Sequence, residues 1–134
     1  MIAEGLINAV HDVSDGGLLV ALAEMALAGG VGATISVGEN WKPHAPSTLT
    51  QKMFGEDQGR YIVSVADIDR VDTIINGLHL FGSYCRSIGF TGGQTIEVKD
   101  TIRKIDFASI PLADLRAAHE GFFPKLMGAD AALA

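Results

Sequence analysis

The stretch His11–Gly17, with the sequence His-Asp-Val-Ser-Asp-Gly-Gly, combines two carboxylates with two glycines near the start of the chain. An apolar segment typical of a helix follows it, and exposed amides at a helix start bind anions. The carboxylates of Asp12 and Asp15 would repel a bare phosphate but are compatible with one bridged by a magnesium ion. Gly16 and Gly17 each cost about 1 kcal/mol in helix propensity, which a close backbone or a ligand would offset. The stretch is therefore either a capped structural turn or one wall of a ligand site.

A second polar stretch, Phe54–Arg60, leads directly into a β-rich segment. Polar side chains at the entrance of a strand can reach a neighbouring cleft, and loops are where functional residues concentrate. The side chains of Glu56 and Arg60 can equally form an ion pair with each other across the turn. Both interpretations, a functional loop and a structural ion pair, are compatible with this spacing.

No complete set of catalytic residues is apparent in the sequence. His11 adjoins the acidic stretch and could be oriented by Asp12 or Asp15, although such a histidine is more often simply hydrogen-bonded in a turn. Cys85 is the one cysteine and has no base beside it in sequence, which is typical of a buried, inert thiol. It cannot form an internal disulfide, and no Cys/His spacing suits zinc. We therefore predict no catalytic residue and no metal ligand in this chain.

The composition excludes several functional classes. Asp and Glu number 16 against 10 for Lys and Arg, which gives a formal net charge of −6. Proteins that bind the phosphate backbone of nucleic acids show the opposite balance. Hydrophobic residues make up 48% of the chain, which argues against intrinsic disorder. The longest nearly apolar run, Leu18–Val31, is shorter than the roughly 20 residues that span a bilayer, and no secretory signal precedes it, so we expect a cytoplasmic protein.

The elements that must position the two polar stretches include both helices and strands. Residues 3–10 are predicted to be the end of a helix. Residues 18–28 form a predicted helix that is apolar nearly all round, which is typical of a helix in the middle of a core. Asp12 is expected to be its N-cap, which places Asp15 at the third helical position of a weak capping box. A strand is predicted at 31–37, where apolar residues alternate with Gly, Thr and Ser.

The remaining order of elements predicts an α+β fold, with helices covering a sheet of about four strands. The glycine link Thr91–Gly93 between two β-rich runs is a hairpin signal. Proline is tolerated in the first helical turn, so Ser109–Pro111 is expected to open the last helix, and Pro124 to kink or end it. The other predicted elements are a loop at 38–46, a short helix from Ser47 to Met53, a strand at 60–66, a helix capped by Asp67, and strands near 84–90, 94–99 and 101–107.

The string Val10–Leu18, together with Phe54–Arg60, closely resembles one family, the C-terminal domain of phosphoribosylformylglycinamidine synthase. The segments Ser87–Phe90 and Phe123–Met127 fit the same pattern, so the resemblance covers nearly the whole chain. The Asp-Val-Ser-Asp-Gly-Gly element is shared more loosely across the aminoimidazole ribonucleotide synthetase superfamily. The Gly-Glu-Asp-Gln-Gly-Arg element narrows the choice to the synthase.

The resemblance implies a three-layer α/β/α fold with a mixed sheet, partly ferredoxin-like. It implies that residues 1–134 are a single domain of an ATP-dependent C–N ligase of purine biosynthesis, without the domain's first strand and the N-terminal ATP-binding domains. In such enzymes ATP phosphorylates the amide oxygen of formylglycinamide ribonucleotide, and ammonia from a glutaminase displaces the phosphate. The N-terminal domains hold most of the ATP and Mg²⁺ contacts, so this chain alone is expected to bind neither and to be inactive.

The resemblance also implies partners and a site. The expected partners are the N-terminal domains of the same polypeptide, a glutaminase subunit and a small accessory subunit. Two other functions stay open, namely a stand-alone binding or regulatory module, and a self-association module that recruits a chain through an unpaired sheet edge. The residues expected to wall the substrate cleft are Asp12, Ser14, Asp15, Gly16, Gly17, Glu56 and Arg60.

Overall fold

The computed structural model describes residues 2–37, 48–77, 87–100 and 103–127 of the chain. No helix within these ranges is long and apolar enough to cross a membrane. The helices and strands, in chain order, are β1 (Ile7–Asp12), α1 (Gly17–Gly29), β2 (Ala33–Ser36), α2 (Leu49–Phe54), β3 (Tyr61–Val65), α3 (Ile68–Gly77), β4 (Gly89–Thr91), β5 (Thr95–Asp100), β6 (Ile105–Pro111) and α4 (Leu112–Leu126).

The chain divides into two compact units. The first consists of Met1–Met25 and Trp41–Gly89, and the second of Ala26–Asn40 and Phe90–Ala134. Helix α1 begins in the first unit and ends in the second. Both polar stretches singled out in the sequence belong to the first unit, so their geometry can be described within that unit.

In the first unit, β1 and β3 pair in an antiparallel arrangement, with Val10 opposite Val63 and Asp12 opposite Tyr61. The register shifts at Asn8, which is one extra residue of β1 between two paired positions and forms a bulge. Because the strands run antiparallel, the end of β1 lies beside the start of β3. The pairing therefore brings together the two stretches that follow β1 and precede β3.

The prediction of a helix end over residues 3–10 is wrong, because strand β1 occupies most of that range. The spacing of Leu6, Ile7 and Val10 suits one face of a helix. Two of these residues are β-branched, however, and such residues also favour strands. Pairing with β3, which is distant in sequence, decides between the two conformations, and local spacing carries no information about that partner.

In the second unit, the sheet has the strand order β4-β2-β5-β6. Strand β2 runs parallel to β5, with Ile35 opposite Val98, and β6 runs antiparallel to β5, with Ile96 opposite Ile110. The side chains of Ile35 and Ile96 are among the most deeply buried in the described residues, at 2% and 1% exposed. The predicted α+β class and the mixed sheet of four strands are thus confirmed.

The hairpin predicted around Thr91–Gly93 is wrong, because β2 lies between β4 and β5 in the sheet. The Gly32 amide donates to the Gly93 carbonyl at 2.9 Å, and the Gly92 amide donates to the Gly32 carbonyl at 2.8 Å. The glycine link therefore passes the start of β2 instead of folding two neighbouring strands together. The residues near 84–86 that were expected to extend β4, including Cys85, lie outside the described ranges, as does the loop predicted at 38–46.

The helix predicted over 18–28 is confirmed as α1. One of its faces is buried, whereas the side with Val20 and Glu24 is exposed, so the expectation of a helix enclosed all round is wrong. This placement makes Glu24 available to a side chain of β1. The buried residues are Leu18, Ala21, Leu22 and Ala26.

The first turns of α2 and α3 are capped by side chains. The N-cap of α2 is Thr48 and not Ser47, because the Thr48 hydroxyl accepts from the Gln51 amide while the Gln51 side chain accepts from the Thr48 amide, a reciprocal capping box. The predicted cap of α3 is confirmed, since the Asp67 carboxylate accepts from the Arg70 amide at 3.0 Å. Local sequence signals therefore located these helix starts to within one residue.

The prediction that Ser109–Pro111 open the last helix is wrong, because these residues end strand β6 and α4 begins at Leu112. Pro124 lies inside the helix near its end and does not terminate it at once. The Arg116 guanidinium donates to the Leu27 carbonyl at 2.9 Å, near the end of α1, and pairs with the Glu120 carboxylate at 2.7 Å. Arg116 thus satisfies a carbonyl in the last turn of α1, where no backbone donor remains within the helix.

Candidate functional site

The two polar stretches of the first unit are hydrogen-bonded to each other at two places. The Val13 amide donates to the Arg60 carbonyl at 2.8 Å, and continues the β1–β3 pairing by one position. The Gly16 amide donates to the Glu56 carboxylate at 2.9 Å. The structure therefore brings together the residues predicted from His11–Gly17 and from Phe54–Arg60, and these residues form the candidate site.

Gly16 and Gly17 form a tight turn before α1, closed by a hydrogen bond from the Gly17 amide to the Ser14 carbonyl at 3.0 Å. Their φ angles are +79° and +74°, in the left-handed region that favours glycine. A Cβ atom at Gly17 would lie 2.6 Å from the carbonyl carbon of Phe54. Gly17 therefore allows the close backbone approach that the sequence indicated, whereas a Cβ atom at Gly16 would meet the side chain of Val20.

Asp12 is not the N-cap of α1, contrary to the prediction from the sequence. It is the last residue of β1, and the turn that ends in Gly16 separates it from the start of α1. The Asp12 side chain is 65% exposed, and Ser14 and Asp15 are exposed as well. Because both side chains are exposed, Asp12 and Asp15 are accessible to a ligand.

Arg60 stabilises the turn that precedes β3 and does not pair with Glu56. Its guanidinium donates to the Gly55 carbonyl at 3.0 Å and lies 3.3 Å from the Asp57 carboxylate. Of the two interpretations that the sequence left open, the ion pair between Glu56 and Arg60 is not formed, since the Glu56 carboxylate bonds the Gly16 amide instead. The side chain of Arg60 is 33% exposed, so part of it borders solvent.

The donor set of the site suits a magnesium–phosphate group only in part. Mg²⁺ prefers oxygen ligands and is commonly bound through one or two carboxylates together with phosphates and water. Asp12 and Asp15 offer two exposed carboxylates, while the Glu56 oxygen is already engaged with an amide. Within the described ranges, no three His, Cys, Asp or Glu side chains converge as they would around a protein-bound metal ion. The described residues thus suit a site in which they supply some of the ligands of a magnesium–phosphate group. They do not form a complete metal site by themselves.

The sequence assigned no role to Glu24, yet its carboxylate lies 3.2 Å from the Nε2 atom of His11. The only available signal was one carboxylate in an otherwise apolar helix, seven residues after its first glycine. That signal did not identify a partner, because the pairing depends on how β1 lies against α1. The sequence offered two interpretations of His11, a side chain oriented by Asp12 or Asp15 and one hydrogen-bonded in a turn. It lies within β1 instead of a turn, with Nδ1 3.8 Å from the Asp12 carboxylate.

The chain matches the family described as AIR synthase related protein, C-terminal domain, over residues 1–100. This match covers most of the chain. The chain belongs to the AIR synthase related family, C-terminal domain.

Curated relatives match nearly the whole chain. The phosphoribosylformylglycinamidine synthase subunit PurL of Sinorhizobium fredii (strain NBRC 101917 / NGR234) is 43% identical over 132 residues, which are 98% of this chain and 16% of the relative. The same subunit of Rhodopseudomonas palustris (strain BisB5) is 45% identical over 129 residues, or 96% and 16%. The chain therefore spans 16% of the length of these relatives.

Solved structures share the fold. The structure described as T. maritima PurL complexed with FGAR superposes with a TM-score of 0.69 at 21% identity, covering 86% of this chain and 19% of that chain. The structure described as T. maritima PurL complexed with ATP superposes with a TM-score of 0.65 at 20% identity, covering 86% and 20%. At these identities the similarity concerns the fold and not the chemistry of the site.

Proposed function

We propose that this chain is the C-terminal domain of the synthetase subunit of a phosphoribosylformylglycinamidine synthase, an ATP-dependent C–N ligase of de novo purine biosynthesis. The observation that carries this proposal is the hydrogen bond between the Gly16 amide and the Glu56 carboxylate. It joins the two motifs on which the family resemblance depends. The high identity to the curated subunits over nearly the whole chain supports the same function.

In the proposed reaction, the amide oxygen of formylglycinamide ribonucleotide takes the terminal phosphoryl group of ATP and ADP leaves. Ammonia then adds at the amide carbon and phosphate departs, which leaves the amidine. ATP supplies the phosphoryl group, and Mg²⁺ neutralises charge that develops on its oxygens. The exposed carboxylates of Asp12 and Asp15 would face that cation from one side of the cleft.

The other motif residues position this wall in the proposed enzyme. Glu56 fixes the turn through the Gly16 amide, and Arg60 holds the preceding loop through the Gly55 carbonyl. Ser14 is exposed between the two acidic residues and would border the substrate. Because these contacts already hold the residues in place, little conformational entropy is lost when a substrate binds, and such preorganisation raises the reaction rate.

The proposal includes partners and a compartment. The chain spans 16% of the length of its relatives. The ATP-binding domains would therefore lie in the rest of the same polypeptide. A glutaminase subunit and a small accessory subunit would complete the cytoplasmic synthase complex. We propose that residues 1–134 act as one domain. Alone, they would neither turn over the ribonucleotide nor bind ATP and Mg²⁺ tightly.

A chimera tests this function. The matched 132-residue segment of the Sinorhizobium fredii subunit is replaced by this chain, and phosphate release from formylglycinamide ribonucleotide and Mg-ATP is measured with ammonium chloride as the nitrogen source. We expect turnover within about tenfold of the parent subunit. A folded chimera that binds both substrates but shows no turnover would contradict the proposal. Turnover by the isolated chain would contradict its proposed inactivity.

One observation favours a second function, self-association. Three apolar side chains, Val10, Tyr61 and Val63, are exposed on one face of the β1–β3 pair, and Tyr61 is 68% exposed. Apolar faces of this kind commonly mark contacts with another chain. Light scattering of the isolated chain after size-exclusion chromatography distinguishes the two functions. A stable dimer that Tyr61→Ser dissociates would favour self-association, and a monomer would argue against it.

A further inference from the structure

Of the three titratable residues in the stretch His11–Gly17, His11 is the one to which the proposed function assigns no role. It lies in β1 next to Asp12, and its side chain is 28% exposed. Both nitrogens of its ring face oxygen atoms. Nδ1 lies 2.6 Å from the backbone carbonyl oxygen of Asp12, and Nε2 lies 3.2 Å from a carboxylate oxygen of Glu24 in α1. The ring is therefore held from two sides, by its own strand and by the neighbouring helix.

The two contacts orient the ring through both of its nitrogens. A carbonyl oxygen and a carboxylate oxygen are both acceptors, which suit the N–H of an imidazole ring. The Asp12 carbonyl oxygen is within hydrogen-bond distance of Nδ1, and the Glu24 carboxylate lies close to Nε2.

This arrangement fixes the backbone at the point where the acidic turn begins. The far end of the turn is held by the Gly16 amide on Glu56, and its middle by the Val13 amide on the Arg60 carbonyl. The Nδ1 atom of His11 lies 2.6 Å from the Asp12 carbonyl oxygen and 3.8 Å from the Asp12 Oδ1 atom, so the ring borders both the backbone and the side chain of Asp12. The turn contains two glycines with positive φ, so it would otherwise have wide conformational freedom.

We infer that His11 is a positioning residue for Asp12, and that Glu24 is the group that anchors His11. The inference rests on the proposed function, because it concerns the wall of the same substrate cleft. Both ring nitrogens of His11 face oxygen atoms of the protein, so we assign it a positioning role and not a catalytic one. His11 and Glu24 act as one unit, so that loss of either group releases Asp12.

Kinetics of the chimera described above test the inference. His11→Ala and Glu24→Ala should each lower kcat at least tenfold, because a misplaced group costs rate when the reacting atoms must be aligned. The KM for Mg-ATP should change less than about twofold, because Asp12 keeps its charge and its long-range attraction for the cation. Glu24→Gln keeps an acceptor oxygen and should retain most of the activity.

The double variant supplies the sharpest comparison. If His11 and Glu24 act as one unit, His11→Ala combined with Glu24→Ala should be no slower than either single variant, because effects on one interacting pair are not additive. His119→Ala, at an exposed histidine of α4, is the matched control and should leave kcat unchanged. Additive losses would overturn the inference, as would losses that merely follow the fraction of folded protein.

A second measurement does not depend on activity. Amide hydrogen exchange of the isolated chain should become at least tenfold faster at Val13 and Gly16 in His11→Ala, while the amides of β5 exchange at an unchanged rate. Unchanged exchange at both positions would overturn the inference even if the chimera is active. If the parent chimera is inactive, the proposed function fails, and the exchange result still decides whether His11 holds the turn.

Discussion

The two units of the chain use their charged residues in different ways. In the second unit, the Glu97 carboxylate accepts from the Lys99 ammonium at 2.8 Å and from the Thr34 hydroxyl at 3.1 Å, so the side chains satisfy one another across the sheet. In the first unit, the Glu56 carboxylate bonds a backbone amide, and Asp12 is left 65% exposed. The first unit also contains a charge pair, between Arg60 and Asp57, but its exposed Asp12 carboxylate lies beside a preorganised turn and is suited to a ligand. This difference supports the proposal that the first unit carries the site.

The largest effect is expected from Gly17→Ala in the first unit. A Cβ atom there would lie 2.6 Å from backbone atoms of Phe54, and φ is +74°, so neither the space nor the conformation suits alanine. We expect the free energy of unfolding to fall by about 3 kcal/mol in urea denaturation. Gly59→Ala is the matched control, because Gly59 has φ +75° and open space around it, and should cost about 1 kcal/mol. Equal losses for the two variants would show that the close backbone approach is unimportant.

A smaller effect is expected from removal of the carboxylate that joins the two motifs. Glu56→Ala leaves the Gly16 amide without its side-chain acceptor, and should lower the free energy of unfolding by about 1 kcal/mol in urea denaturation. Glu56→Gln retains an acceptor oxygen and should recover most of that loss. If glutamine and alanine destabilise equally, the hydrogen bond to Gly16 is not what Glu56 contributes.

The ion pair between Glu97 and Lys99 in the second unit predicts a weak pH dependence of the stability. Hydrogen bonds from Lys99 and then Thr34 lower the pKa of the Glu97 carboxyl below its ordinary value of 4.5. A lowered pKa in the folded state contributes stability at pH values above 4.5, and this contribution is lost as the pH falls through the folded-state pKa. The difference in urea midpoint between the natural chain and Glu97→Gln should therefore be constant near neutral pH and shrink in acid. A difference that grows in acid would contradict this sign.

At alkaline pH the same ion pair affects the stability through the ionisation of Lys99. The hydrogen bond to Glu97 raises the pKa of Lys99 above its ordinary value of 10.5. Its contribution to stability is therefore complete below pH 10.5 and is lost as the pH rises through the folded-state pKa. Because both side chains are largely solvated, salt should weaken the whole effect, and 1 M sodium chloride in the same titration checks this.

The smallest effect on stability is expected from Asp12→Ala. Asp12 does not cap α1, and its side chain is mostly exposed, so the free energy of unfolding should change by less than about 0.5 kcal/mol. The chimera should nevertheless lose activity with this variant, because the carboxylate belongs to the proposed wall. A clear drop in the urea midpoint would restore the capping role that the sequence suggested. Unchanged turnover would remove Asp12 from the site.

The sequence predicted those parts of the fold that depend on neighbouring residues. The helix at α1, the strand at β3 and the cap at Asp67 follow from local apolar spacing and side-chain capping, and all three are confirmed. The strand β1 and the strand order around β2 were missed, since both depend on partners far away along the chain. Local patterns thus located elements better than they located pairings.

For the candidate site as well, the sequence predicted local features better than contacts between distant segments. The sequence identified the acidic turn and the stretch before β3, because two glycines at a helix start are costly and polar residues lead directly into a strand. It did not identify the bond between Gly16 and Glu56 or the contact of His11 with Glu24, which depend on the register of β1 along β3 or on the position of α1. The pairing of Arg60 with Asp57, three residues apart, was missed because Glu56 offered an alternative carboxylate at a similar spacing.

The bulge at Asn8 divides β1 into two parts that tolerate changes of length differently. Side chains alternate between the two faces of a strand, so an insertion of one residue reverses every face assignment beyond it. A residue gained or lost at Ile7 or Asn8 can be taken up by the irregular backbone at the bulge. A residue gained between Ala9 and Asp12 would instead turn the histidine outward and the aspartate inward. Natural insertions and deletions in this strand should therefore be confined to its first half.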